Sequence, residues 1–164
     1  MRLSDNSVLI TGGSSGIGYA LAEAFLASGS KVAICGRSEA RLAQAAAKHP
    51  EFRWQVCDVS EDEDRLRLLH WASAELPKLN VLVNNAGVQR DVDFTQGIQA
   101  FRTGDNEIRV NLESAIVLTG LFVPLLARHG DPAIINVSSG LGFVPAARMP
   151  VYSASKAGLH AFSM

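Results

Sequence analysis

The chain has 164 residues, with 15 Lys and Arg against 16 Asp and Glu. That length suits one domain of ordinary size, and a content of 48% apolar and 19% charged residues suits a buried core and excludes wholesale disorder. A net charge of −1 excludes binding to nucleic acid or to an anionic membrane driven by bulk charge, and two cysteines, Cys35 and Cys57, are too few for a disulfide scaffold.

Near the start, Met1 to Gly12 holds only a four-residue run, Val8 to Thr11, so no secretory signal is expected. The run Val8-Leu9-Ile10 reads as a first strand and leads into Thr11-Gly12-Gly13-Ser14-Ser15-Gly16-Ile17-Gly18. Ile17, Leu21, Ala24, Phe25 and Ala27 then recur at helical spacing until Gly29. A second strand is expected over 31–35. Ser38 caps an Ala-rich helix reaching about Lys48, and 52–57 reads as a third strand. Ser60 is expected to N-cap a helix whose acidic first turn, Glu61 to Asp64, suits the positive end of the helix dipole. A fourth strand over 80–83 ends in Asn84-Asn85-Ala86-Gly87. The segment 88–104 has no clear period and reads as a long loop. A long apolar helix is expected over 105–128, a fifth strand over 133–137, a loop over 138–150 and a last helix from about Tyr152. The longest apolar stretch, 115–127, is too short to span a bilayer and contains Pro124. Short apolar strands alternating with helices predict a parallel sheet covered by helices on both faces, in one domain. A soluble, cytoplasmic protein is expected.

Three motifs carry chemistry. Gly12-x-x-x-Gly16-x-Gly18 stands at the first strand-to-helix crossing. There a pyrophosphate needs backbone N–H groups, a helix N-terminus and no Cβ in its way. The second strand ends in Cys35-Gly36-Arg37, where an NAD site places an acid on the ribose 2′-hydroxyl. A guanidinium there pairs instead with a 2′-phosphate, so NADP(H) is preferred; Glu39 is a nearby acid that weakens the preference, and NAD(H) remains the alternative. Finally, Tyr152 and Lys156 stand at i and i+4 on one helix face. A nearby ammonium stabilises a phenolate and makes the tyrosine a usable acid and base. Ser139, at the end of the fifth strand, is expected on the same rim.

The chain resembles the short-chain dehydrogenase/reductase family. The resemblance rests on Thr11 to Gly18, Asp58-Val59, Asn84-Asn85-Ala86-Gly87, Asn111, Ser138-Ser139 and Tyr152-Ser-Ala-Ser-Lys156, all in family order. It implies a doubly wound Rossmann-type α/β fold with about five strands in the order 3-2-1-4-5. It also implies hydride transfer between a nicotinamide and a carbonyl or alcohol carbon of a small-molecule substrate. By resemblance, Tyr152 is the general acid and base. Ser139 binds the substrate oxygen, and Lys156 holds the nicotinamide ribose. Asn111 holds a water that links Lys156 to solvent. Gly12, Ser14, Ser15, Gly16, Ile17 and Gly18 contact the phosphates, Asp58 and Val59 the adenine, and Asn84, Ala86 and Gly87 the adenine ribose. The helices 105–128 and 152–164 are expected to pair in a homo-oligomer.

The family continues beyond the Tyr-Lys helix with further strands, a Pro-Gly segment at the nicotinamide and a substrate-covering loop. The chain is therefore expected to be cut inside that helix and to be weakly active or inactive. A noncatalytic dinucleotide-binding module is the alternative reading. A sugar-nucleotide epimerase is disfavoured by the glycine spacing. Phe143, Val144 and Met149 hint at an apolar substrate and Arg148 at an anion contact. Cys35 and Cys57 read as buried thiols. His49 and His129 lie near helix C-termini, His70 and His160 lack ligand-like spacing, and no metal is expected.

Overall fold

Successive residues of a strand point to opposite faces of its sheet, so a strand that is apolar throughout needs cover on both sides. Such strands organise the computed structural model, which describes residues 4–164. Strands β1 (Ser7–Thr11), β2 (Lys31–Gly36), β3 (Arg53–Val56), β4 (Val81–Asn84) and β5 (Ala133–Asn136) form one parallel sheet in the order β3-β2-β1-β4-β5. Between them run α1 (Gly16–Ala27), α2 (Glu39–Lys48), α3 (Asp62–Glu75), a single turn α4 (Gln99–Arg102) and α5 (Ser114–Leu126). After β5 comes α6 (Pro150–Phe162).

Val8, Ile10, Val32, Ile34, Val81 and Val83 turn to one face and pack with Ala22 of α1 and Leu42 and Ala45 of α2. Leu9, Ala33, Cys35 and Leu82 turn to the other and meet Leu68 and Ala72 of α3 and Leu118, Phe122 and Leu126 of α5. The two layers are the doubly wound arrangement, with a chain reversal between β1 and β4.

Three local expectations are corrected. Ser60 does not cap α3. Glu61 occupies the N-cap position, and the Ser60 amide and hydroxyl both donate to Asp58 Oδ1, at 2.9 and 2.7 Å. A carboxylate two residues upstream is the stronger local acceptor and sets an Asx turn instead. The segment 88–104 is not a plain loop: it holds a 3₁₀ turn at Phe94–Gln96 and the turn α4. Arg90 organises it by donating to the carbonyls of Phe101 (3.1 Å) and Thr103.

The long apolar helix is also less regular than its sequence suggests. Its first part, Arg109–Glu113, is a π turn, and the Ser114 amide bonds back to Arg109 O. That leaves Val110 O without its usual amide, and the Ser114 hydroxyl takes it at 2.5 Å. The helical stretch Arg109–Leu126 has the length and mean hydropathy, 1.4, of a short membrane span. Its Leu118, Phe122 and Leu126, however, are spent on the sheet. The last turn of α6 is closed by Ser163, whose hydroxyl donates to Leu159 O and accepts from Asn136 Nδ2.

Phe122 has no exposed surface. Phe122→Ala is expected to cost about 3–5 kcal/mol in denaturant titration. A loss below about 1 kcal/mol would contradict its place between α5 and the sheet.

Candidate active site

A parallel sheet opens a crevice where neighbouring strands send their connections to opposite sides, here at the carboxyl ends of β1 and β4. The backbone groups released there are gathered by one side chain. Thr11 Oγ1 accepts from the amides of Asn85 and Ala86, both at 3.0 Å, and donates to Val83 O at 3.3 Å. Asn85 Nδ2 returns to Thr11 O at 2.8 Å and Gly12 O at 3.3 Å. This latch forms the floor of a cavity of about 580 Å³.

At one end lies the glycine turn. Gly12 has φ +65°, and a side chain there would stand 3.0 Å from Ala86 Cα. A Cβ on Gly18 would fall 2.4 Å from both Gly12 O and Asn85 Nδ2. These glycines let the turn sit against the β4 end. Gly16 faces open space, and Ser15, the N-cap of α1, spends no side-chain bond on the helix amides. The first turn of α1 therefore presents amide donors toward the cavity, and Gly12, Ser14, Ser15 and Ile17 line it. A diphosphate fits such a cradle.

The next wall comes from Gly36, Arg37, Ser38, Arg41, Cys57, Asp58 and Val59. Arg37 is not free: its Nη1 and Nη2 meet Asp105 Oδ1 and Oδ2 at 2.8 and 3.1 Å. The guanidinium holds the Asp105 carboxyl below the usual range, and the carboxylate raises Arg37 in turn. Cys35 and Cys57 are buried thiols. A hydrogen bond from the Cys35 thiol to Cys57, together with burial, pushes Cys35 well above the ordinary thiol range, so it stays protonated.

The far end holds the Tyr-Lys pair. Lys156 is 4% exposed. Its Nζ donates to Val137 O at 2.8 Å and stands 5.9 Å from the Tyr152 ring centroid. Both residues line the cavity. Burial pushes the Lys156 ammonium below its usual range. Asn111, in the π turn, is 2% exposed. Its Oδ1 accepts from Val88 N (2.8 Å), and its Nδ2 donates to Val88 O (2.8 Å) and Ser155 Oγ (3.0 Å). One amide hydrogen is thus spent on the wall after β4 and the other on Ser155 of α6. One lone pair on Oδ1 remains. A Cβ on Gly87 would come 3.3 Å from Asn111 Oδ1 and 3.6 Å from Lys156 Nζ, so the glycine lets the backbone pass close to both; Lys156 lines the cavity, whereas Asn111 lies just behind its lining.

Some expected site residues fall elsewhere. Asn84 is 5% exposed and outside the cavity lining. Its amide donates to Asn136 Oδ1 at 2.9 Å, because as the last residue of β4 it points into the sheet's edge pairing. Its neighbour Asn85 reaches the cavity. Ser139 is likewise off the wall: it N-caps the 3₁₀ turn Gly140–Gly142, accepting from Leu141 N at 3.2 Å. Ser138 lines the cavity in its place and donates to Lys156 O at 3.2 Å. Phe143, Val144, Arg148 and Met149 are also outside the lining. Arg148 pairs with Asp91 at 2.6 Å, and Phe143 packs against His160 in a tilted ring contact with centroids 4.5 Å apart. Arg41, in the first turn of α2, also lines the cavity, a placement that no spacing signal in the sequence marks.

The short chain dehydrogenase family model matches residues 6–164. The chain belongs to this family. It is 48% identical over 164 residues to the "uncharacterized oxidoreductase DltE" of Bacillus subtilis (strain 168), covering 100% of this chain and 65% of the relative. An uncharacterized oxidoreductase of Staphylococcus saprophyticus is 30% identical over 169 residues, covering 99% of this chain and 71% of its own length. A tropinone reductase homolog of Arabidopsis thaliana is 36% identical over 166 residues, covering 96% and 60%. The chain thus spans about two thirds of the length of these curated relatives. Short-chain dehydrogenases are oxidoreductases that usually bind a nicotinamide dinucleotide.

Thr11→Val keeps the shape of the latch and removes its oxygen. Two buried amides then lose their acceptor, and a loss of about 2–4 kcal/mol is expected in chemical denaturation. Lys156 gives a pH test. Because its folded value is lowered, the protonated amine costs stability below that value. The cost fades as pH rises through it toward about 10.4. The stability of Lys156→Met relative to wild type should therefore fall over that rise, measured by denaturation at stepped pH. A constant difference would argue against a buried ammonium.

Proposed function

We propose that this chain binds NADP(H) and carries the acid–base groups for hydride transfer between the nicotinamide and a small-molecule carbonyl or alcohol. The observation that carries the reading is a single cavity lined at one end by the glycine turn and at the other by Tyr152 and Lys156. When bound, the dinucleotide supplies or accepts the hydride.

In the reducing direction the Tyr152 hydroxyl gives its proton to the substrate oxygen as the carbonyl carbon gains hydride. In the oxidising direction the phenolate takes that proton back. The Lys156 ammonium favours the phenolate through its charge and offers its remaining hydrogens to a ribose. The Asn111 lone pair beside Gly87 is where a relay water would dock. Ser139 accepts from Leu141 N, and a rotation about χ1 that gives up this bond would turn its hydroxyl toward a substrate oxygen. Arg37, with Arg41 beside it, favours a 2′-phosphate over a bare hydroxyl.

Binding without turnover is the second reading, and the engagement of Ser139 in a cap favours it. Tyr152→Phe separates the two. It is expected to lower carbonyl-dependent NADPH oxidation by about 10²–10⁴-fold with the NADPH dissociation constant little changed. Unaltered turnover would defeat the acid–base assignment. NADPH binding without any turnover in the unmodified chain would favour the second reading.

Ile116 and Val123 on α5 are 42% and 45% exposed, and we propose that this face pairs with a second copy. Light scattering at high micromolar concentration is expected to give twice the chain mass, and a monodisperse monomer would count against pairing.

A further inference from the structure

We propose that Asp105 is a specificity-determining residue of the adenosine end: it occupies the Arg37 guanidinium as an internal substitute for a 2′-phosphate, and so narrows the margin between NADP(H) and NAD(H). This rests on the cofactor reading above.

Arg37 follows the end of β2 on the cavity wall, and Asp105 reaches it from the segment before the π turn, 68 residues away. Both terminal nitrogens of the guanidinium are engaged by both carboxylate oxygens, at 2.8 and 3.1 Å. A phosphate would approach that same planar fork. The two side chains are 53% and 40% exposed, so the pair is a weak staple that a competing anion can displace. Asp58 adds a second negative charge that acts on Arg37. A 2′-phosphate, carrying roughly −1.5 to −2 charges, must displace the carboxylate or bind beside it. A 2′-hydroxyl does neither and leaves the pair standing. Arg41 lines the same end and is in no ion pair among the described residues, which makes it the rival phosphate contact.

The test measures dissociation constants for NADPH and NADH by nucleotide fluorescence in low-salt buffer. It uses the unmodified chain, Asp105→Asn, Arg37→Ala and the double variant. Asp105→Asn is expected to tighten NADPH about three- to tenfold and to move NADH less than about twofold. In the Arg37→Ala background, the same change should no longer affect NADPH. An unchanged NADPH-to-NADH ratio in Asp105→Asn would overturn the inference. So would a gain that persists without Arg37, which would transfer the phosphate to Arg41. An unmodified chain that binds neither nucleotide would sink the cofactor reading itself, and this inference with it.

Discussion

Where β1 and β4 part, the sheet stops supplying hydrogen-bond partners, and the amides beyond its edge must find others. The Thr11 hydroxyl meets that need by accepting from Asn85 and Ala86 while donating to Val83 O. Asn85 reciprocates through Thr11 O and Gly12 O. A buried amide left without an acceptor costs about 1–3 kcal/mol, so the geometry of the crevice floor is tightly constrained. The glycine turn on one side and the Ala86–Gly87 backbone on the other are fixed relative to each other by these bonds. Everything placed around the cavity inherits its position from them.

A second set of bonds builds the opposite wall. Asn111 brackets Val88 through both its amide and its carbonyl, and Glu107, one helical turn earlier, accepts from Arg90 N at 2.9 Å. Side chains on a helix thus read the backbone of the stretch after β4 much as a neighbouring strand would. Asn111 also holds Ser155, between Tyr152 and Lys156 on α6. The amide therefore joins three separate segments. Lys156 lies in the same region at an electrostatic cost that burial imposes and that the bond to Val137 O partly offsets. Function and stability are set against each other at this residue.

The fold was legible because its signals were periodic and local. Apolar strands such as Val8-Leu9-Ile10 read directly as two-sided burial, and Ser38 caps α2 through Arg41 N at 3.3 Å as its position suggested. The glycine spacing and the Tyr-Lys pair located both ends of the cavity. Features that depend on competition between neighbours were not legible. The Ser60 hydroxyl is taken by Asp58 and does not cap α3, and strand register decides that Asn85, rather than Asn84, faces the crevice. The π turn leaves no residue-type mark at Arg109–Glu113, and the Arg37–Asp105 pair joins segments too distant for any spacing rule. The first follows from competition for one hydroxyl, the second from a one-residue difference in phase, and the last from tertiary proximity alone.

The π turn has a consequence for how this helix tolerates change. One residue of extra length rotates everything before it by roughly 100° relative to everything after it. The helix therefore works as two independently clocked halves. The part before the π turn aims Glu107, and the turn itself aims Asn111, at the stretch after β4, while the downstream half aims Leu118, Phe122 and Leu126 at the sheet. Substitutions on the outer surface leave that timing intact. Loss of a single residue from 109–113 would restore a regular screw, and the two halves could no longer serve both partners at once.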